Sequence, residues 1–233
     1  MSQTVELMPA VILAGGLATR LRPLTQRIPK ALIEVAGHPF LWHQLQLLKR
    51  SGIRRVVLLV GHLGESIQQR FQDGAELGIS IDYCFDGPVL LGTAGAIRQA
   101  LPLLPERFFV LYGDSYLPCN YAAVEAAFRH SGLPGLMTVY RNEGLYDSSN
   151  VEYDGSRILR YDKGNRTPAM HHIDYGLAPF TAVSSRRFLR GRRATLLPFT
   201  RTCSTPEIWR LSKCSSGFMR SARRKDCETP RSS

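Results

Sequence analysis

Residues 10–30 read AVILAGGLATRLRPLTQRIPK, and this stretch decides the fold. Its first four residues, AVIL, form a short continuous apolar run, which is typical of a parallel strand buried on both faces. Gly15 and Gly16 then allow a tight turn and a close approach of backbone N–H groups to a phosphate. Arg20 and Arg22 could add charge-assisted bonds to its oxygens. These residues alone are equally compatible with a plain strand-to-helix turn carrying two solvated arginines.

Strand and helix patterns alternate along the rest of the chain. Helical spacing of apolar residues is found in HPFLWHQLQLLKRSG, GESIQQRFQDG, TAGAIRQALPLL and NYAAVEAAFRHSG, and strand patterns in RRVVLLVG, ISIDYCF, RFFVLYGD and GLMTVYR. This alternation predicts right-handed crossovers and a mostly parallel sheet covered on both faces. Asp154 and Gly155 stand between two alternating runs and predict a β-hairpin added to the sheet. The predicted fold is α/β, a Rossmann-like three-layer sandwich with a mostly parallel sheet and an added β-hairpin.

The positive charge is concentrated near the C-terminus. The 233 residues carry a formal net charge of +11, but residues 184–233 hold 13 of the 30 Lys and Arg and only 3 of the 19 Asp and Glu. Residues 1–183 are therefore almost neutral. This argues against a nucleic acid or an anionic membrane surface as the partner of the packed part of the chain.

The cysteines and the N-terminal apolar run bear on the cellular compartment in which the protein is expected. Three of the five cysteines, Cys203, Cys214 and Cys227, lie in the basic segment without C-x-x-C spacing, which argues against a disulfide framework or a zinc site. A reducing cytoplasm fits this usage. The apolar run PAVILAGGLA has no basic region before it and is too short to span a bilayer, so we expect a soluble protein without a signal peptide.

In a doubly wound sheet, ligands bind beyond the carboxyl ends of the strands, so the residues after each strand are the candidates for a site. Asp114 follows the strand RFFVLYGD and could hold Mg²⁺ on nucleotide phosphates, although Asp also caps helices. Lys30 could reach the same phosphates or be an ordinary surface lysine. Gly92, Thr93 and Gly95 could present N–H groups to a base or sugar, or simply begin a helix that Thr93 caps.

Two further pairs stand near the predicted hairpin. Asp162 and Lys163, in YDKG, would point to opposite faces of a strand, whereas at a strand end both could reach a ligand; a solvated ion pair is the alternative. His171 and His172 are adjacent, so a strand would also send them to opposite faces, and no metal is assigned to them.

Taken in order, VILAGGLATRLRPLT, PKALIEVAGHPF, LGTAGAI, GDSYL and YDK resemble the sugar-phosphate nucleotidyltransferase family over residues 9 to about 178. Members of this family join a nucleoside triphosphate to a sugar 1-phosphate and release pyrophosphate. The resemblance is greatest to members that act on heptose, mannose or N-acetylmuramate 1-phosphates and use GTP or UTP. It implies Mg²⁺ as the cofactor, and a nucleoside triphosphate and a sugar 1-phosphate as partners. We expect no membrane partner, and the near-neutral body argues against a nucleic acid.

The resemblance also implies a role for each matching residue. Asp162 stands where the family usually has Glu, and Asp174, in IDYGL, stands where the family has the Asn of N-A-G-I-Y. Catalytic roles are implied for Arg20, Lys30 and Lys163, metal binding for Asp114, and substrate binding for Leu13, Ala14, Gly15, Gly16, Gly92, Thr93, Gly95, Asp162, Asp174 and Gly176.

The reaction of this family suits such residues. A sugar-phosphate oxygen attacks the α-phosphorus in line with the leaving pyrophosphate, so the protein mainly positions two anions and neutralises developing charge. Two other interpretations remain open: a sugar-nucleotide-binding protein without catalysis, and an inactive truncated product whose basic tail binds nucleic acid. A glycosyltransferase with a similar sheet would usually show D-x-D, which GDSY lacks.

The C-terminal segment does not continue the pattern. We expect a C-terminally incomplete nucleotidyltransferase domain in residues 1–183 and a basic, disordered tail in residues 184–233. In a shifted reading frame, the codons allowed for this segment permit a text containing FYEIGSPEGL, which resembles the family's closing F-x-x-I-G-(S/T)-P-E. We therefore predict a frameshift, in the gene or its sequencing, around residues 178–193, which resequencing the DNA would test. The rival is a genuine basic arm that binds a polyanion.

Overall fold

The computed structural model describes residues 6–16, 27–88, 91–142 and 148–182, together with the backbone of Arg201–Cys203 and Met219–Arg220. The strands are β1 (Ala10–Leu13), β2 (Glu34–Val35), β3 (His38–Pro39), β4 (Arg55–Val60), β5 (Ser80–Phe85), β6 (Arg107–Tyr112), β7 (Ser115–Tyr116), β8 (Leu136–Arg141), β9 (Val151–Tyr153), β10 (Ile158–Tyr161), β11 (His172–Asp174), β12 (Leu177–Thr181), β13 (Arg201–Cys203) and β14 (Met219–Arg220). The helices are α1 (Phe40–Arg50), α2 (Gly64–Phe71), α3 (Gly92–Ala100) and α4 (Tyr121–Ser131).

The central sheet has the strand order β12-β6-β1-β4-β5. Strands β1, β4, β5 and β6 run parallel, and β12 is antiparallel to β6 at one edge. The continuous apolar runs of the sequence explain this sheet, because the first three residues of β1 and the last five of β4 are buried, as both faces of the sheet are covered. The predicted mostly parallel sheet is confirmed.

Two apolar clusters on opposite faces of this sheet define the three layers. Ile12 belongs to the larger cluster, together with Leu41 of α1 and Val124 of α4. Its neighbour Val11 belongs to the smaller cluster, together with Ile97 of α3. Successive side chains of a strand point to opposite faces, so two adjacent residues of β1 serve two different layers.

The helices follow from local sequence. In α1, Leu41, Leu45 and Leu48 recur at helical spacing and are buried against the central sheet. In α4, the side chain of Asn120 accepts a hydrogen bond from the N–H of Ala123 and caps the first turn. Among the helices of the described residues, none has the length and apolar character needed to cross a lipid bilayer.

The predicted hairpin is present as β9 and β10, which pair antiparallel. In its turn, Asp154 Oδ1 accepts hydrogen bonds from the backbone N–H groups of Ser156 and Arg157, both at 2.8 Å. Gly155 has φ +101°, a left-handed conformation that glycine adopts without strain. Residues 154–157 thus separate the two strands, and the side chain of Asp154 and the backbone of Gly155 order this turn.

The hairpin was expected as an addition to the parallel sheet, but it belongs to a second sheet with the order β10-β9-β11-β8-β13. The segment GLMTVYR, expected in the parallel sheet, forms β8 and pairs antiparallel with β11 instead. The physical reason is that Met137 and Val139 of β8 bury themselves with Val151 of β9 in a small core of their own. A bridge between Gly135 and Phe180 links the two sheets.

Two short strands come from the basic C-terminal segment. Strand β13 lies parallel to β8, and β14 lies antiparallel to β7. The other residues from 183 onward lie outside the described part of the chain. The boundary at residue 183, the frameshift and the disorder of residues 184–233 therefore stay predictions.

Candidate functional site

A cavity of about 330 Å³ lies at the carboxyl ends of β1, β5 and β6, beside the start of α3. The chain runs from β1 to β4 and β5 on one side and then crosses to β6 on the other side of β1, so the strand order reverses at β1. Such a switch point is where open α/β sheets bind ligands, and the volume is in the range of small-molecule sites. The residues that line the cavity are Leu13, Ala14, Gly15, Gly16, Lys30, Ala31, Leu59, Asp86, Gly92, Thr93, Ala96, Tyr112, Gly113 and Asp114.

Close backbone packing explains the glycines at this edge of the sheet. A Cβ atom added to Gly15 would lie 3.1 Å from the backbone nitrogen of Gly61, and one added to Gly113 would lie 2.7 Å from the carbonyl oxygen of Leu13. The N–H of Gly113 also donates to that carbonyl at 3.0 Å. Among the described residues, nothing lies within 4 Å of the Cβ position of Gly16, which lines the cavity.

Lys30 and Asp114 meet in the cavity, with 3.0 Å between Lys30 Nζ and Asp114 Oδ2. Lys30 begins a short 3-10 turn, and Asp114 lies in the loop between β6 and β7. Lys30 is therefore not an isolated surface lysine. Asp114 does not cap a helix, because Asn120 has that place at the start of α4. The carboxylate is 41% exposed, so a ligand in the cavity can reach it.

The carboxylate of Asp114 is an oxygen donor of the kind that a magnesium ion requires. Within the described ranges, no three His, Cys, Asp or Glu side chains come close enough together to hold a metal. Mg²⁺ is commonly bound through one or two carboxylates, substrate phosphates and waters, without a cage made only of protein. The accessible carboxylate of Asp114 suits this manner of binding.

Gly92 and Thr93 line the cavity from the first turn of α3. The N-cap position of this helix is held by Leu91, whose side chain makes no capping hydrogen bond, so the idea that Thr93 caps the helix is wrong. Gly95 does not line the cavity. A Cβ atom there would lie 2.7 Å from Leu91 Cβ, which indicates a packing role for Gly95.

Tyr112 connects the cavity with a second group of predicted site residues. Lys163 Nζ lies 5.9 Å from the centroid of the Tyr112 ring and 5.7 Å from that of Tyr161, within the range of cation–π attraction. Gly176 has φ +91°, and a Cβ atom there would lie 3.3 Å from Tyr112 Cδ2. Asp174 Oδ1 accepts the N–H of Gly176 at 2.9 Å. One aromatic ring thus contacts both parts of the site.

The carboxylate of Asp162 is engaged by the backbone of its own loop. Its Oδ1 accepts hydrogen bonds from the backbone N–H groups of Asn165 and Gly164, both at 2.8 Å, and these bonds lower the pKa of Asp162 to about 2. Asp162 therefore orders the loop that carries Lys163. Arg20 and Arg22 lie outside the described residues, so their roles stay predictions.

Asp86 and Tyr112, which line the cavity with polar side chains, were not among the candidates taken from the sequence. Asp86 follows β5, and its Oδ2 accepts the N–H of Leu91 at 3.4 Å. Burial raises the pKa of Asp86, and the hydrogen bond from Leu91 offsets part of this effect. Asp86 and Tyr112 both stand at the carboxyl end of a parallel strand, so the rule that selected Asp114 could have found them.

The sequence matches a known family and several curated relatives. The sequence model of the family described as nucleotidyl transferase matches residues 9–144. Mannose-1-phosphate guanyltransferase beta-B of Xenopus laevis is 33% identical over 190 residues, which are 78% of this chain and 52% of the relative. D-glycero-alpha-D-manno-heptose 1-phosphate guanylyltransferase of Campylobacter jejuni is 39% identical over 118 residues, 51% of this chain and 52% of the relative. The chain spans about half the length of the curated relatives it matches.

Solved structures share the fold. HddC from Yersinia pseudotuberculosis, complexed with GMP-PN, matches with a TM-score of 0.66 and 21% identity, over 85% of this chain and 91% of that chain. A putative glucose-1-phosphate thymidylyltransferase from Bacillus anthracis matches with a TM-score of 0.69 and 20% identity, over 80% and 76%. At this level of identity the likeness concerns the fold alone.

Proposed function

The chain belongs to the nucleotidyl transferase family, and from that premise we propose that it transfers a nucleoside monophosphate from a nucleoside triphosphate to a sugar 1-phosphate, releasing pyrophosphate. The observation that carries this proposal is the arrangement around Tyr112. Lys30 and Asp114 face a nucleotide-sized cavity that Tyr112 lines, and Lys163 lies against the Tyr112 ring. A reaction between two anions needs cationic groups that hold both reactants near one another. Residues 1–183 would form the catalytic domain.

The strand order supports a direction for the proposed nucleotide. The loops after β1 and β6 are neighbours, whereas β5 is three strand positions away from β6. With about 4.8 Å between strands, the ends of β6 and β5 are about 14 Å apart, roughly the length of an extended nucleoside triphosphate. The phosphates would lie near Lys30 and Asp114, and the base near Asp86 and Thr93.

The backbone from Leu13 to Gly16 offers N–H groups to the phosphate oxygens, and Lys30 supplies a positive charge. On the strength of the sequence motif, Arg20 is proposed to add charge-assisted bonds. Asp114 would hold Mg²⁺, which when bound neutralises charge on the phosphate oxygens.

The acceptor would bind beside Lys163. An oxygen of the sugar 1-phosphate attacks the α-phosphorus, and the new P–O bond forms as the bond to the bridging oxygen breaks and pyrophosphate leaves. No general base is needed, because the attacking phosphate is largely ionised at neutral pH. Lys163 is proposed to bind this phosphate, with Asp174 and Gly176 beside the sugar. For Asp162 we propose that it holds the loop of Lys163 in place.

Asp86 favours GTP over UTP as the nucleotide. A carboxylate only accepts hydrogen bonds, and guanine presents two adjacent donors, N1–H and the N2 amino group, on one edge. Uracil presents one N–H between two carbonyl oxygens, which a carboxylate repels. A partly buried carboxylate with a raised pKa also gains from a ligand that supplies hydrogen-bond donors.

Pyrophosphate release by the full chain tests the proposal. GTP, UTP, ATP and CTP would each be offered with the 1-phosphates of mannose, glucose, N-acetylmuramate and heptose. We expect release that requires both Mg²⁺ and a sugar 1-phosphate, with GTP preferred. Tight binding of a sugar nucleotide without any release would instead identify a binding protein.

A further inference from the structure

Gln44 of α1 is 2% exposed, and its amide faces the loop that carries Asp114. The amide nitrogen donates to the carbonyl oxygen of Tyr112 at 3.0 Å and to that of Ser115 at 2.7 Å. Both partners are acceptors, so the amide must present its NH₂ group to them.

The two carbonyls stand on either side of Gly113 and Asp114. On the opposite side, the N–H of Gly113 is bound to the carbonyl of Leu13 at 3.0 Å. The short loop is therefore held between α1 and β1, and Asp114 lies between the two points at which Gln44 holds it.

The amide oxygen of Gln44 makes no comparable hydrogen bond among the described residues. Gln44 Oε1 is buried and has no hydrogen-bond partner among the described residues. An unsatisfied buried acceptor destabilises the folded protein, so an apolar side chain of similar size would suit this position better if it served packing alone. A polar residue at this place needs another reason, and its two donors supply one.

We propose that Gln44 is a positioning residue that fixes Asp114 for the metal-bound triphosphate. It touches no substrate and acts only through the loop from Tyr112 to Ser115. This inference rests on the proposed function, because it assumes that Asp114 binds the metal of the nucleotide. Groups that orient a metal ligand commonly change metal affinity or activity when they are replaced.

Gln44→Met tests the inference, with Leu45→Met as the matched control. Methionine has nearly the length and volume of glutamine and lacks both donors and the orphan acceptor. Leu45 is also buried in α1. Its replacement by methionine changes the packing of the same helix without removing a hydrogen bond to the loop.

The first readout is binding of Mn²⁺ complexed with GTP or with UTP, followed by electron paramagnetic resonance. We expect Gln44→Met to weaken this binding about tenfold, and Leu45→Met to leave it within about twofold of the original protein. The second readout is hydrogen–deuterium exchange of residues 112–117, which should become faster in Gln44→Met only. In turnover, kcat should fall while the KM for the sugar 1-phosphate stays unchanged.

Wild-type Mn²⁺ affinity and loop exchange in Gln44→Met would overturn the inference, as would equal effects of the two variants. An original protein that releases no pyrophosphate with any substrate pair would overturn the proposed function instead, while the exchange result would still report on the loop. Should Gln44→Met fail to fold, Gln44→Asn replaces it with the same expected outcomes, because its amide is one methylene too short to hold both carbonyls.

Discussion

Lys30 and Asp114 form an ion pair whose functional role can be separated from its structural role, because the chain contains a matched pair. Arg55 and Asp82 lie 2.9 Å apart and are 39% and 38% exposed, but neither lines the cavity. Half-exposed ion pairs contribute little to folding, about 0–1 kcal/mol. Any large difference between changes at Asp114 and Asp82 must therefore come from what Asp114 binds.

Asp114→Ala should lower the rate of pyrophosphate release by about a hundredfold or more, because electrostatic stabilisation at the phosphates is lost. Asp82→Ala should keep the rate within about twofold, since its ion pair lies outside the site. Thermal unfolding of both variants should stay close to that of the original protein. Equal rates in the two variants would remove Asp114 from the mechanism.

Lys163→Ala should raise the KM for the sugar 1-phosphate about tenfold or more, because a charge-assisted contact to the phosphate is lost. The KM for the nucleoside triphosphate should change much less. Arg157→Ala serves as the control, because it removes a cation from the hairpin that precedes the Lys163 loop. Arg157 Nε lies 3.2 Å from Asp154 Oδ2. An unchanged KM for the sugar in Lys163→Ala would contradict the assignment of the acceptor side.

Asp86→Asn should make the ligand-free protein slightly more stable near neutral pH. Burial raises the pKa of Asp86, so the folded state disfavours the ionised carboxylate. The contribution of the carboxyl group to stability is present at low pH and is lost as the pH rises through the folded-state pKa. The advantage of Asn should therefore shrink as the pH falls toward 3.8, the ordinary pKa of the group.

Thermal unfolding of the original protein and of Asp86→Asn across this pH range measures the effect. An advantage of Asn that grows as the pH falls would show that the sign is wrong. The same variant should lose its preference for GTP, because a side-chain amide can bond to uracil as well as to guanine.

At the scale of elements, helix α2 ends on a strained residue. Gln72 follows Phe71 with φ +46° and ψ −133°, a conformation that suits glycine and that other residues adopt only under strain. The strain is local, because Gln72 is exposed and its carbonyl oxygen accepts the hydroxyl of Tyr83 at 2.7 Å without help from its side chain.

Gln72→Gly should raise the free energy of unfolding by about 1 kcal/mol, through relief of this strain. The matched control is Gln69→Gly, at an exposed position inside α2. Glycine has poor helix propensity, so this change should lower the free energy of unfolding by about 1 kcal/mol. Urea denaturation measures both changes. Effects of the same sign at the two positions would contradict the explanation.

The elements show what sequence can and cannot predict. Strands β1, β4 and β6 were predictable because continuous apolar runs flanked by helical patterns leave few alternatives. The place of β8 in the second sheet could not be predicted, because the pattern of an apolar strand does not identify its neighbouring strand. Strand β8 pairs with β11, whose residues come about 30 positions later along the chain.

The site shows the same division between local and distant information. Gly15, Lys30 and Asp114 were predictable from their places after strands and in motifs. Tyr112 contacts Lys163, which is 51 residues later in the chain. Gln44 donates a hydrogen bond to the carbonyl of Ser115, which is 71 residues later. No local sequence pattern predicts contacts over such separations.

At the scale of the whole molecule, function depends on how the two sheets meet. The central sheet brings the ends of β1, β5 and β6 to one cavity, and the second sheet carries the segment from β9 to β11 against Tyr112. The residues of the packed part are almost neutral overall, so the cations Lys30 and Lys163 act by their position and not through a general positive field. Binding of two small anions is what such an arrangement favours.

The proposed nucleotidyl transfer is tested most directly by following the α-phosphorus of the nucleotide. The full chain would be incubated with Mg²⁺, mannose 1-phosphate or heptose 1-phosphate, and GTP radiolabelled at the α-phosphorus, and the products would be separated by chromatography. We expect the label to move into a nucleoside diphosphate sugar in an amount equal to the pyrophosphate released. Label that remains in GTP with every sugar, or that appears only in free nucleotide, would contradict it.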